Sequence, residues 1–450
     1  MAFEYLLTNK SELIHQTIVQ GHVFSLETYL NEQKDFDINQ IFEYQRSKWT
    51  LLMAACFYKH EHIVRLILRR FKPEIDMTGD VKLDFVHEVM HGVTALWVAV
   101  AVGHLDLVKL LIEQGHANVN HLSETRSSPL RAASYIGRLD ITRLLIEHGA
   151  DISLVRIGNY TNLMLSAYRQ HKDMVKYFLD EVKCDPNERD QEGRTPLHYA
   201  VDGGSLDVIH ILLDSGAENN STNGLAPIFW AALEAKPEMV DAFEHHCYSM
   251  QQWIEARELL GASFANKESK HYNLNRAQTH LALAYQWRLK WNLPKSLQKF
   301  QPNEAFNYFQ ECQTLEEFTT ILSESNNRLH IEALMIFERI LGEQDRRYRR
   351  SLRYYGADLA NIQQYNACLL LWAHELDIRQ RHDIPLDRLH LREFIRILAK
   401  MVNDDIDWIP ETALLKILRF LDGEILNNRN NDHCLITLFY LIIVISHVCS

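Results

Sequence analysis

The sequence predicts an all-α chain: a solenoid of short helix pairs, followed by a region of longer helices. Three observations predict it. A block of about 33 residues recurs along the first half. Within each block, apolar residues fall at helical spacing. Gly and Pro are sparse, 17 and 10 in 450 residues, so few breakers interrupt the helices.

The copies are "TLLMAACFYKHEHIVRLIL" from Thr50, "TALWVAVAVGHLDLVKLLIEQG" from Thr94, "SPLRAASYIGRLDITRLLIEHGAD" from Ser128, "TNLMLSAYRQHKDMVKYFLDE" from Thr161, "TPLHYAVDGGSLDVIHILLDSGAE" from Thr195 and "APIFWAALEAKPEMVDAFE" from Ala226. Their anchors, Leu52, Leu96, Leu130, Leu163, Leu197 and Ile228, are 44, 34, 33, 34 and 31 apart. A period near 33 with T-P-L-H-x-A and L-L-x-x-G-A-D resembles the ankyrin repeat. The opening Thr or Ser is expected to cap a first helix by accepting from its free amides. The pair Ala132-Ala133 lets two helices pack closely, and runs such as "LVKLLI" form the buried stripe of the second helix. Gly149 and Gly216 are expected to end that helix in a left-handed cap. No single copy buries its own faces, so stacking must supply the core. "LIHQTIVQGHVFSLETYLNEQKDFDIN" reads as a degenerate capping copy.

The first spacing exceeds the period by about ten residues, which predicts a long finger over 71–92. That finger contains His87-Glu88-Val89-Met90-His91, an H-E-x-x-H pattern. On a helix it would grip zinc and supply a general base. Here Gly92 and the cap Thr94 follow at once, so both histidines fall before the helix. A loop is expected, not a zinc peptidase, and no metal site is assigned. "EHHC" at Glu244–Cys247 is expected on one helix, and its close spacing there favours a surface reading over a metal site.

From about Trp253 the 33-residue pattern gives way to longer helices. "IEARELLGASFANK" carries L-G-x-x-F, resembling the first helix of a tetratricopeptide pair. "RYYGADLANIQQYNACLLLWAHELDIRQ" follows the same plan, with Gly356 for close approach and Tyr365, Cys368 and Trp372 along a second helix. The domain boundary is placed so that 1–247 is the ankyrin solenoid and 248–450 the tetratricopeptide-like region.

Composition narrows the function. A formal net charge of -12 repels phosphate backbones, so nucleic acid is not an expected partner. "DRRYRRSLRYY" (Asp345–Tyr355) is therefore read as a solvated helix face. Seven cysteines (56, 184, 247, 312, 368, 434 and 449), with no CxxC pair, fit reduced thiols in cytosol or nucleus. The apolar run Cys434–Ser450 reaches only the lower edge of a bilayer span, and a buried helix is expected there over a tail anchor. No nucleophile–His–acid arrangement and no phosphate-cradling loop is found. A non-catalytic protein without a cofactor is expected.

The order of parts, with "TGDVKLD", "RSSPLRAA", "ARELLGASFA" and "ERILG", resembles the Fem-one (feminization) family over nearly the whole chain. The resemblance implies a substrate receptor of a cullin-two, elongin-containing ubiquitin ligase. It implies protein substrates bound through their carboxy-terminal residues, often arginine, on the ankyrin repeats. It places Asp84 where the family's finger carboxylate meets that arginine, bidentately. Arg126 and Ser127 would donate to the terminal carboxylate, with Arg131 beside them, and Trp97 and Tyr135 would form apolar and stacking walls. This chain departs from the family at three places. Ile136 replaces a second arginine-binding aspartate, a loss worth roughly 1.5–3 kcal/mol toward an arginine end. "FVHEVMHG" is longer than its counterpart, and Glu192 stands where some members carry cysteine. No elongin-binding box is recognised in these residues, so partnership with elongin B/C and cullin-two is expected only if the full protein carries it. A scaffold or decoy that binds without recruiting the ligase is the alternative.

Overall fold

The computed structural model describes residues 16–32, 37–44, 47–83, 89–154, 158–220, 224–247, 249–295, 303–324, 326–385, 388–404, 410–426, 437 and 441–442. The chain divides into two compact units, 1–227 and 228–450. The division precedes residue 247, because the helix Pro227–Leu233 of the last repeat copy groups with the longer helices.

The first unit is built from paired helices. First helices run over Leu51–Phe57, Ala95–Ala101, Pro129–Ile136, Asn162–Tyr168 and Pro196–Gly203. Their partners are Glu61–Phe71, Leu105–Glu113, Leu139–Glu147, Lys172–Asp180 and Leu206–Asp214. First helices stack on first helices and second on second, each copy touching its neighbours, as a solenoid requires. Thr50, Thr94, Ser128 and Thr161 cap as expected, each hydroxyl accepting from the amide three residues on. Gly149 and Gly216 follow second helices at φ +86° and +87°. The helix Val23–Glu32 packs on Glu61–Phe71, in the place of a capping copy. Leu52, Leu96, Leu130, Leu163 and Leu197 are all buried, as their repeat position demands.

One element has no counterpart in the helical pattern. Strands β1 (Phe42–Tyr44), β2 (Ser47–Trp49), β3 (Gly79–Lys82) and β4 (Val89–Val93) form one antiparallel sheet in that order. The long finger is the β3–β4 arm of this sheet. Strands of three to five residues offer too little alternation to be recognised from sequence.

The second unit pairs longer helices. Met250–Ala265 packs along Leu274–Trp291, and Arg346–Asn361 along Tyr365–Arg381. Gly356 is needed where the latter pair crosses: a Cβ there would lie 2.4 Å from Trp372 Nε1. Tyr365, Cys368 and Trp372 are buried along the partner helix. "DRRYRRSLRYY" is not simply a solvated face, since Tyr348, Arg349, Leu352 and Tyr355 point inward. At the unit's centre Lys295 is fully buried, with Nζ 2.7 Å from Glu311 and donating to Tyr285 at the same distance. Arg288 and Arg339 each reach Glu258 at 2.6 Å. Burial pushes the Glu258 carboxyl up, but Lys295, Arg288 and Arg339 more than reverse this and hold it at about 2.

No helix among the described residues is long and apolar enough to cross a membrane. The run Cys434–Ser450 lies almost wholly outside the described residues.

Candidate functional site

The site grows out of the repeat register. In each copy the residue before the cap and the residues three and seven beyond it face the same side. From successive copies these are Trp97 and Ala101; Ser127, Arg131 and Tyr135; Tyr160 and Tyr168. They meet in one cavity of about 350 Å³, completed by Val89, Met90, Thr125, Ala132, Ile136 and Leu165. β4 supplies Val89 and Met90, so the finger walls one side.

The polar groups are few and held. Trp97 Nε1 donates to Ser127 Oγ at 3.2 Å, and the Ser127 amide donates to Ser123 Oγ at 3.0 Å. Arg131 is 6 % exposed, and its Nη1 donates to the Tyr160 carbonyl at 2.7 Å. Its guanidinium also lies over the Tyr160 ring, 4.7 Å from the centroid. The Arg169 guanidinium lies over the Tyr135 ring at 4.3 Å. Two of the aromatic walls thus each carry a resident cation. Among the described residues no carboxylate lines this cavity.

A second, wider recess of about 780 Å³ adjoins it through the shared residues Thr125, Tyr160 and Tyr168. Its chemistry is opposite: Glu124, Asp190, Glu192 and Asp202 line it, with Arg194 and Tyr199. Asp190 is occupied by its own finger. It accepts from Tyr199 OH at 2.6 Å and from Arg194 Nε at 3.0 Å. Burial raises its carboxyl, but Tyr199 and Arg194 outweigh that and hold it below the ordinary range. His198 fixes this finger to the next. Its Nδ1 accepts from the Thr195 amide at 3.0 Å, so Nε2 carries the proton and donates to the Leu225 carbonyl at 2.7 Å. Burial keeps this imidazole below its ordinary pKa.

Of the residues singled out from sequence, Trp97, Ser127, Arg131 and Tyr135 come together at the cavity. Arg126 does not line it: it is exposed, in a left-handed turn at φ +58°, with its amide on the Ser123 carbonyl at 2.8 Å. Asp84, His87 and Glu88 lie outside the described residues. His91 is on β4, with Nδ1 3.1 Å from Asp80 Oδ1, and not on a helix. "EHHC" forms a short 3₁₀ turn, and the Cys247 thiol donates to the Phe243 carbonyl. Tyr160 and Tyr168 were not singled out from sequence. Their positions, just before the cap and seven beyond it, match Ser127 and Tyr135 and would have pointed to them.

Family profiles for ankyrin repeats in three copies match residues 77–156 and 155–223, and one for a single ankyrin repeat matches 47–80. Among curated proteins, the sex-determining protein fem-1 of Caenorhabditis elegans is 30% identical over 354 residues, 76% of this chain and 52% of that protein. Protein fem-1 homolog A-like of Mus musculus is 28% identical over 55% of this chain and 43% of its own length. Protein fem-1 homolog A of Rattus norvegicus is 27% identical over 85% of this chain and 64% of its own. The matched region thus spans less than two thirds of the length of each of these relatives.

Proposed function

Because the chain belongs to the fem-1 family of protein-binding ankyrin-repeat proteins, we propose that it is a substrate receptor that holds the carboxy-terminal residues of other proteins in the cavity at Trp97, Ser127, Arg131 and Tyr135. The observation that carries this reading is Arg131: a guanidinium set into the wall of a mostly apolar cavity that Ser127 also lines. A chain terminus offers a matching pair, one carboxylate and one side chain, at a single point. Charge-assisted hydrogen bonds to that carboxylate favour an end over an internal segment. Ser127 accepts from Trp97, so its hydroxyl proton can turn toward the peptide. The segment holding Asp84 joins β3 to β4, and Val89 and Met90 of β4 line the cavity. Asp84 is proposed to approach the peptide from that finger, and Arg126 to act at long range from the exposed turn.

The receptor performs no chemistry of its own in this reading. It presents the bound protein to a cullin-two ligase through elongin B/C, for ubiquitination and degradation. The test has two arms. Peptides are titrated against the purified chain with free and amidated ends, on the wild type and on Arg131→Gln and Asp84→Ala. Free ends should bind at least about tenfold more tightly than amides, and Arg131→Gln should remove most of that difference. Equal binding of both ends would overturn the reading. Pull-down with elongin B/C tests the ligase arm. Peptide binding without elongin capture would make the chain a binder or decoy.

A further inference from the structure

Resting on that reading, we propose that the recess beside the cavity is a second subsite, which takes a lysine or arginine side chain a few residues before the end of the bound protein. The recess holds about 780 Å³ and shares Thr125, Tyr160 and Tyr168 with the cavity. A peptide whose last residue lies in the cavity therefore meets the recess next. An extended chain advances ~3.3–3.6 Å per residue, which puts the recess roughly two to five residues before the end.

The chemistry of the walls selects a cation. Tyr160, Tyr168 and Tyr199 line the recess, and Glu124, Asp190, Glu192 and Asp202 line it with one guanidinium, that of Arg194. Arg194 shows how a cation is held there. Its guanidinium lies over the Tyr199 ring, 4.7 Å from the centroid, with Nε 3.0 Å from Asp190 and 3.3 Å from Glu192. Ring and carboxylate together attract a guanidinium at its face and its edge at once. The same two kinds of group recur across the recess on other copies. Glu124 comes from the finger before the helix Pro129–Ile136, and Asp202 from the helix Pro196–Gly203. Tyr168, 47 % exposed, ends the helix Asn162–Tyr168 of the copy between them. A cation seated here is thus met from three successive copies. Glu124 and Glu192 are exposed, so the cation keeps part of its hydration, and the attraction need not offset complete desolvation.

The experiment is a peptide series with one fixed carboxy-terminal residue, each member as free acid and as amide, titrated against the purified full chain. A single Lys, Gln or Glu is moved through the positions roughly two to five residues before the end. At the matching position the Lys acid should bind about tenfold tighter than the Gln acid, and the Glu acid more weakly than either. Added salt should narrow these gaps. Lys placed about ten residues from the end, some 30 Å away, controls for the net charge of -12 and should gain little. Glu124→Gln combined with Asp202→Asn should remove most of the lysine advantage. Circular dichroism checks that this variant folds, and the wild-type series decides even if it does not. Three results would overturn the subsite and leave the receptor reading standing: free-acid binding indifferent to Lys at every near position, a lysine advantage equally large far from the end, or one that persists in the folded double variant. Indifference to the carboxylate in every peptide would overturn both, because the subsite is counted from a bound end.

Discussion

Asn162 is 2 % exposed, and neither its amide oxygen nor its amide nitrogen has a hydrogen-bond partner. It occupies the first position of a helix, just after the cap Thr161. Other copies place proline in the same position, Pro129 and Pro196. Proline suits that position because its fixed φ is helical and its missing N–H is not needed in the first turn. Thr161 already has the extended backbone, φ -77° and ψ 167°, that a residue before proline must adopt. Asn162→Pro therefore removes an unsatisfied buried amide and stiffens the unfolded chain. We expect stabilisation of about 1 kcal/mol, read as a raised urea midpoint. An unchanged or lowered midpoint would show that the amide is satisfied in solution. The cavity residues show what one sequence can reveal at this scale. Trp97, Arg131 and Tyr135 stand out by type and repeat position. Arg126 stands out by type alone, and its turn conformation directs it elsewhere.

At the scale of the element, the repeat register explains both what sequence showed and what it hid. Caps, anchors and helix ends are set by contacts within one copy or with the next, so a fixed period reveals them. The finger sheet depends on pairings that do not recur with the period, such as Lys48 with Asp80 and Gly79 with Val93. Its strands are too short to signal themselves. The helix that presents Arg131, Tyr135 and Ile136 closes at Gly137, with φ +77° and its amide on the Ala133 carbonyl. A Cβ on Gly137 would sit 2.6 Å from the His171 ring, whose Nε2 is 3.0 Å from the Tyr135 carbonyl. Gly137→Ala thus meets left-handed strain and a clash together. It should cost on the order of 1–3 kcal/mol of stability and weaken peptide binding by displacing Tyr135. A variant as stable as the wild type in thermal unfolding would contradict this account of the cap.

At the scale of the molecule, the second unit was legible as helices and not as an ionic core. Glu258, Arg288, Glu311 and Arg339 are far apart in sequence and lie on several elements, so no spacing brings them together before the fold does. Their burial still leads to a measurable prediction through a neighbouring hydrogen-bonded chain. Asn303 Nδ2 donates to His374 Nδ1 at 2.9 Å. The His374 proton is then on Nε2, 3.3 Å from Tyr348 OH, which donates to Glu338 at 2.8 Å. Burial lowers His374 to about 4 and raises Glu338 to about 7. The two act in opposite directions. The folded histidine resists a proton that the unfolded one accepts near 6.5, so its stabilisation holds above that pH and is lost as pH falls toward 4. The folded carboxyl takes a proton that the unfolded one refuses until near 4.3, so its stabilisation is present at low pH and is lost as pH rises through 7. On lowering the pH from 7 to 5, His374→Gln should retain roughly 1–2 kcal/mol more of its starting stability than the wild type retains. Glu338→Gln should retain less. Denaturant unfolding of the full chain at both pH values measures the two slopes. Identical pH dependence in wild type and both variants would mean that this chain titrates as it does in water, and that the centre of the second unit is wet.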